Sequence, residues 1–205
     1  MRLRRLEILL EGVAGFAHPS AAREQYRTPP PLAARLLYTA FMAGDITGLR
    51  VLDLGSGTGI LGIGAALLGA GTVTGIEDDP GAITTAEENA RNLQAEVEFI
   101  HADVTDPAGR ERVPLADTII MNPPFGAQSE HADRPFIDLA LEKAGVVYGI
   151  FNAGSERFIR EYTRDRAEIT AVIAAECTIP RTFFFHTDDR REIPVVILVL
   201  NRKKS

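Results

Sequence analysis

From residue 50 onward the chain alternates short apolar runs with helix-patterned stretches, and that alternation leaves few folds open to it. Arg50-Val-Leu-Asp-Leu54 reads as a buried strand and Gly59 to Leu68 as a helix. Thr72 to Glu77 reads as a second strand, Pro80 to Asn92 as a helix with proline in its first turn, and Ala95 to His101 as a third strand. Ala116 to Met121 is the fourth. Asp133 to Lys143 has a helical pattern with Asp133 as its cap, Gly145 to Phe151 is the fifth strand, and a helix follows from Ser155 to about Asp165. Glu168 to Cys177 and Ile193 to Leu200 complete seven strands. Such alternation implies an α/β fold, a mainly parallel sheet with helices on both faces. No helix-length segment separates the last two strands, so they are expected to pair antiparallel at one end of the sheet.

Ahead of the alternation, Leu3, Leu6, Leu9 and Leu10 give residues 3–13 the apolar spacing of an amphipathic helix. Ala14 to Arg27 is a connector. Thr28-Pro-Pro-Pro31 then precedes a helical pattern over Leu32 to Met42, with Thr28 as the expected cap. Residues 1–45 thus read as a helical extension of a single domain spanning 1–205.

Composition narrows the function classes. A chain with 45% hydrophobic and 24% charged residues is expected to fold. Its one cysteine, Cys177, excludes an intramolecular disulfide and a multi-cysteine zinc site, and points to a reducing compartment, the cytoplasm. Net charge is −6, which excludes a generic polyanion binder; nucleic acid would need a local basic patch. Met1 to Glu7 lacks the apolar region of a signal peptide. Leu54 to Ile76 is long enough to span a bilayer and carries no charge, but eight of its 23 residues are glycine, so a loop, helix and strand are expected there.

Asp53-Leu54-Gly55-Ser56-Gly57-Thr58-Gly59 lies between the first strand and its helix. Glycines there allow positive φ and close approach of a ligand, and the following helix start offers N–H groups to an anion. Glu77, at the end of the second strand, is placed to accept from both hydroxyls of a ribose. Two cofactors compete. Gly57-x-Gly59-x-x-Gly62 matches the dinucleotide pattern. An acid two residues before the first glycine, as Asp53 is, suits the ammonium of S-adenosylmethionine (AdoMet). A plain tight turn is the third reading.

The next motif favours AdoMet. The apolar run Thr118-Ile-Ile-Met121 ends in Asn122-Pro123-Pro124-Phe125-Gly126. Consecutive prolines have no N–H and hold the backbone extended. Asn122 is then presented beside bare carbonyls, so its Oδ1 and the Pro123 carbonyl can each accept one hydrogen of an NH₂ group. Phe125 can stack on the flat ring that bears the amine. An aromatic amine is a poor nucleophile, and two acceptors orient it and favour the developing sp³ nitrogen. The chemistry calls for neither a metal nor a strong base. A rigid strand exit is the alternative use of such a tetrad.

These motifs resemble those of the methyltransferase-like protein five family, AdoMet-dependent enzymes of the seven-strand Rossmann-like class with an N-P-P-F motif. Gly15-Phe16, Glu24-Gln25-Tyr26-Arg27-Thr28, Val51 to Gly64, Met121 to Gly126 and Phe185-His186 carry the resemblance over almost the whole chain. The Glu-Gln-Tyr-x-Thr segment is the most discriminating of them. The resemblance implies methylation of an adenosine N6 in small-subunit ribosomal RNA, with S-adenosylhomocysteine as by-product. It implies catalytic roles for Asn122, Pro123, Pro124 and Phe125. It implies cofactor contacts from Gln25, Thr28, Asp53, Gly55, Ser56, Gly57, Thr58, Gly59, Glu77, Asp103 and Asn122. It also implies a small zinc-containing activator subunit, as in eukaryotic relatives. Phe151-Asn152 stands where relatives often have His-Lys. A guanine-N2 RNA methyltransferase and a protein-glutamine N5 methyltransferase are the alternatives, since each presents an amine or amide nitrogen to the same tetrad.

Further expectations concern the periphery. Residues 126–132 are expected to close over an extruded base. The third strand is expected at a sheet edge, with Glu96, Glu98 and His101 on one face and Val97 and Phe99 on the other. Basic groups at Arg2, Arg4 and Arg5, at Arg23 and Arg27, at Arg190 and Arg191, and at residues 202–204 read as solvated charge.

Overall fold

A computed structural model describes residues 1–20, 23–126, 131–180 and 190–203. Seven strands form one sheet in the order β3-β2-β1-β4-β5-β7-β6. They are β1 (Arg50–Leu54), β2 (Thr72–Glu77), β3 (Glu98–His101), β4 (Thr118–Met121), β5 (Val146–Asn152), β6 (Ala167–Pro180) and β7 (Arg190–Arg202). The first five run parallel; β7 pairs antiparallel with both β5 and β6. The α/β expectation and the C-terminal antiparallel pair are both borne out.

The helices are α1 (Leu3–Glu11), α2 (Pro30–Ala43), α3 (Ile60–Leu67), α4 (Pro80–Asn92), α5 (Pro107–Glu111), α6 (Arg134–Lys143) and α7 (Glu156–Thr163). Strand alternation sorts the core into two layers. Val51, Val73, Ile120, Tyr148 and Ile150 face Leu6, Leu10, Leu36, Leu37 and Ile63 of α1, α2 and α3. Leu52, Leu54, Ile119, Met121 and Val147 face Leu139, Ala140 and Ile159 of α6 and α7. Period-2 geometry therefore sends Asp53, Glu77 and Asn122 toward the α1–α2–α3 side, because Asp53 and Asn122 lie two residues from Val51 and Ile120 and Glu77 lies four from Val73.

Four local expectations are corrected. Thr28 does not cap α2: the cap position is Pro29, and no side chain caps it. Asp133 stands at the cap position of α6 but makes no side-chain cap bond. The third strand begins at Glu98 rather than Ala95, because the Ala95 N–H donates back to the Ala90 carbonyl at 2.9 Å and closes the end of α4. Strand alternation also puts His101 on the side of Phe99, not with Glu98. There its Nε2 lies 3.0 Å from the Asp78 carbonyl oxygen. The short α5 has no counterpart in the sequence reading.

Residues 54–76 are a strand end, a turn, α3 and β2. Among the described residues no helix is long and apolar enough to cross a membrane. Phe185, His186, Lys204 and most of the expected closing loop at 126–132 lie outside the described residues.

Candidate active site

The sheet order reverses beside β1: the chain runs outward through β2 and β3, then returns to place β4 on the other side. Loops leaving β1 and β4 diverge there, which opens a crevice at the strands' carboxyl ends. A cleft of about 270 Å³ occupies it, lined by the Glu24–Thr28 segment, the turn after β1, the ends of β2 and β3, and Asn122-Pro123-Pro124. Of the residues singled out in the sequence, Gln25, Thr28, Asp53, Gly55, Ser56, Gly57, Thr58, Glu77, Asp103, Asn122, Pro123 and Pro124 line this cleft. Gly59 and Phe125 do not.

The glycine turn is held tightly. Gly55 and Gly57 have φ of 74° and 53°. A Cβ on Gly55 would come within 2.9 Å of the Phe136 ring, and one on Gly57 within 2.9 Å of the Phe16 ring. Most N–H groups of the turn itself are already engaged. Gly55 and Ser56 donate to the Ile76 carbonyl at 2.9 Å each, Gly59 to the Ser56 carbonyl at 2.8 Å, and Gly57 to Glu77 Oε2 at 2.7 Å. The other Glu77 oxygen accepts from the Asp78 and Asp79 N–H groups at 3.1 Å each. Burial, with the Asp78 carboxyl alongside, pushes the Glu77 carboxyl up to about 7 against the pull of the backbone N–H groups.

Asp53 is 1% exposed, and its Oδ2 accepts from the Gly62 N–H at 2.8 Å. Burial pushes this carboxyl up to about 7 against the pull of that bond. Asp53 Oδ1 and Ser56 Oγ are buried without a hydrogen-bond partner. Two orphaned polar atoms in the wall of a cleft fit a ligand bearing a cationic donor, since buried polar groups are otherwise paired. Asp103 Oδ1 accepts from the Thr105 N–H and hydroxyl, both at 2.7 Å, which fixes its turn at the cleft's edge.

On the opposite wall, the N-terminal segment grips the tetrad. Asn122 Nδ2 donates to Thr28 Oγ1 at 2.9 Å and to the Tyr26 hydroxyl at 3.2 Å. The Tyr26 hydroxyl lies 3.3 Å from Asn122 Oδ1 and can donate to it. Burial pushes the Tyr26 phenol upward, so it stays protonated. Glu24 Oε2 accepts from the Phe125 N–H at 2.7 Å, and the Tyr26 and Phe125 rings lie 5.8 Å apart. Gln25 turns the other way: its Nε2 donates to Asp79 Oδ2 at 2.7 Å, beside Glu77. One segment thus touches both the turn after β2 and the tetrad.

Several of these residues carry no motif signal. Asn89 bonds to Ala14 through both its N–H and carbonyl, at 2.9 and 3.1 Å, and donates to the Thr58 carbonyl at 2.9 Å. It pins the connector to the glycine turn. The available clue was an amide on the helix face of Ala82, Ala86 and Ala90. Phe136 was legible only as a helix position, while Phe16 and Glu24 lie within segments that carry the resemblance, which assigns them no role of their own. Among the described residues no cluster of three or more His, Cys, Asp or Glu side chains could hold a metal ion.

Residues 32–146 match the family model of the methyltransferase small domain. The chain is 37% identical to protein MJ0284 of Methanocaldococcus jannaschii, over 98% of this chain and 95% of that one. It is 34% identical to the rRNA N(6)-adenosine-methyltransferase Mettl5 of Drosophila melanogaster, over 95% of this chain and 94% of that one. The chain belongs to the METTL5-like family of methyltransferases. PH1948 of Pyrococcus horikoshii, another similar protein, has a crystal structure matching with TM-score 0.91 at 38% identity, over 100% of this chain and 99% of that one. As a METTL5-like methyltransferase the chain uses AdoMet as its methyl donor.

Proposed function

We propose that this enzyme methylates the exocyclic N6 of an adenosine in structured RNA, with small-subunit ribosomal RNA as the substrate. The observation that carries this reading is the engagement of Asn122 Nδ2 by Thr28 and Tyr26. With its NH₂ directed inward, the amide offers Oδ1 to the substrate, and an oxygen acceptor selects an amine donor. AdoMet when bound supplies an electrophilic sulfonium methyl. Asn122 Oδ1 and the Pro123 carbonyl each take one N6 hydrogen and turn the nitrogen lone pair toward the cofactor side of the cleft. Phe125, backed by Tyr26, stacks on the adenine. The surplus N6 proton becomes acidic once the N–CH₃ bond has replaced the sulfonium S–CH₃ bond, whose electron pair stays on sulfur; the proton then leaves to water, so no strong base is needed.

On the cofactor side, Glu77 accepts from the ribose hydroxyls, Asp53 Oδ1 faces the ammonium, and Asp103 borders the adenine. Gln25 acts through Asp79. The four-residue edge strand β3 is where a small activator subunit would add, and the cytoplasm is the compartment the lone Cys177 suits.

The test is nucleoside and peptide mass spectrometry on a strain lacking the gene, with and without its restoration. Loss of one N6-methyladenosine from small-subunit rRNA, regained on restoration, is the expected result. Loss of N2-methylguanosine, or of methylglutamine from a release factor, would replace this reading with one of the alternatives.

A further inference from the structure

Between α6 and α7, aromatic rings and guanidinium groups lie in layers. His131 stacks on Phe158 with ring centres 5.7 Å apart, and Phe158 on Tyr162 at 5.4 Å. The Arg134 guanidinium lies 4.8 Å from the Phe158 ring centre and 5.5 Å from that of Tyr162. Arg166 lies 5.0 Å from the Tyr162 ring centre. The two arginines end differently. Arg166 donates to Asp138 Oδ1 at 2.7 Å, and the Tyr162 hydroxyl donates to the same carboxylate. Arg134 makes no side-chain hydrogen bond or ion pair among the described residues, and its Nε is buried with no acceptor.

That arrangement is costly without a ligand. A guanidinium buried at one nitrogen and left unpaired loses hydration without replacement. Arg134 is also the first residue of α6, where the helix dipole disfavours a cation. With its flat face against rings, a guanidinium keeps its N–H donors in plane and available to an oxyanion, bidentate where geometry allows. The place is near the cleft: Arg134 opens α6, and the same first turn carries Phe136, whose ring lies against Gly55 and lines the cleft wall.

We propose that Arg134, braced by Phe158 and Tyr162, binds a backbone phosphate of the RNA strand entering the active site. This rests on RNA being the substrate. A phosphate there would hold the strand beside the tetrad without reading its sequence.

Filter binding of the full chain to in vitro transcribed small-subunit rRNA, over a range of salt concentrations, tests it. Arg134→Gln should weaken binding roughly tenfold and reduce the slope of log K against log salt by about 1, with AdoMet affinity unchanged. Arg166→Gln, which breaks the neighbouring ion pair, should leave the slope as it is. An unchanged slope in Arg134→Gln would make Arg134 a brace between two helices and overturn the proposal. If that variant folds poorly, phenylglyoxal labelling of the wild-type chain decides instead. Protection of Arg134 by the rRNA supports the contact, and equal labelling with and without it refutes it. A wild-type chain that neither binds nor methylates the rRNA removes the substrate reading as well; binding and methylation with an unchanged slope remove only the phosphate contact.

Discussion

Asn122 and Thr28, 94 residues apart in the chain, share a hydrogen bond of 2.9 Å from the amide Nδ2 to the hydroxyl oxygen. The bond joins the end of β4 to the residues just before α2. It holds the amide nitrogen, and with the Tyr26 hydroxyl 3.3 Å from Oδ1 it leaves the second lone pair of that oxygen for a substrate. The resemblance implied a cofactor contact for Thr28; its bond to Asn122 adds a positioning role to be tested beside that one.

Replacing Thr28 by valine keeps the shape and removes the acceptor. Turnover should fall roughly tenfold, the scale of one lost hydrogen bond of about 1.4 kcal/mol, while AdoMet affinity holds. Thr28→Ser should restore most of the rate. Calorimetry with AdoMet alongside single-turnover methylation separates the two roles: weaker cofactor binding at an unchanged rate would return Thr28 to the cofactor.

Asn122→Ala removes the acceptor itself. Methyl transfer should drop by roughly 10²–10³, as for loss of one preorganised polar contact in a reaction centre. AdoMet binding, measured by calorimetry, should be nearly unchanged. Wild-type turnover in this variant would take the tetrad out of the mechanism.

Asp53 and Glu77 make stability depend on pH. Their carboxyls rise from 3.8 and 4.5 to about 7 in the folded chain, chiefly through burial. The folded state therefore holds more protons than the unfolded state between those values. Stability contributed by the protonated forms is full below about pH 4 and is lost as pH rises through about 7. The melting temperature of the cofactor-free chain should decrease from pH 5 to pH 8. Asp53→Asn still accepts from the Gly62 N–H and carries no charge, so it should flatten that decrease. A wild-type melting temperature that climbs over the same range would contradict the assignment.

Asn89 is 2% exposed and bonds to three backbone groups on two other segments. Asn89→Ala would leave buried backbone groups unpaired, at a cost of about 1–3 kcal/mol for each group that water fails to reach. Urea unfolding should show the loss, and AdoMet binding should weaken with it, because Thr58 lines the cleft. Unchanged stability would mean that the connector is held elsewhere.

The local chemistry of this protein was legible in its residues. Apolar runs of four to seven residues separated by helix-length amphipathic stretches admit little besides a parallel sheet, since neither element buries its apolar face alone. Gly55 and Gly57 follow from a tight strand-to-helix turn that needs positive φ, although the Phe136 and Phe16 rings that close on them are tertiary contacts. Asn122 followed by two prolines is informative alone, because proline chemistry acts within its own few bonds.

Other features depended on the folded chain. Nothing in the spacing of Thr28 or Glu24 shows that they meet Asn122 and Phe125; that follows from β4 lying beside β1 while α2 covers the same face. The segment 95–97 has strand-forming residues, yet the end of α4 draws Ala95 back, and pairing with β2 begins only at Glu98. Asn89 looked like one polar residue among many in α4, and burial against Ala14 and Thr58 makes it a clasp. Short-range sterics act through the bonds next to a residue and can be read from its neighbours. Hydrogen bonds between distant segments exist only where the sheet order and the packing of its two layers bring those segments together.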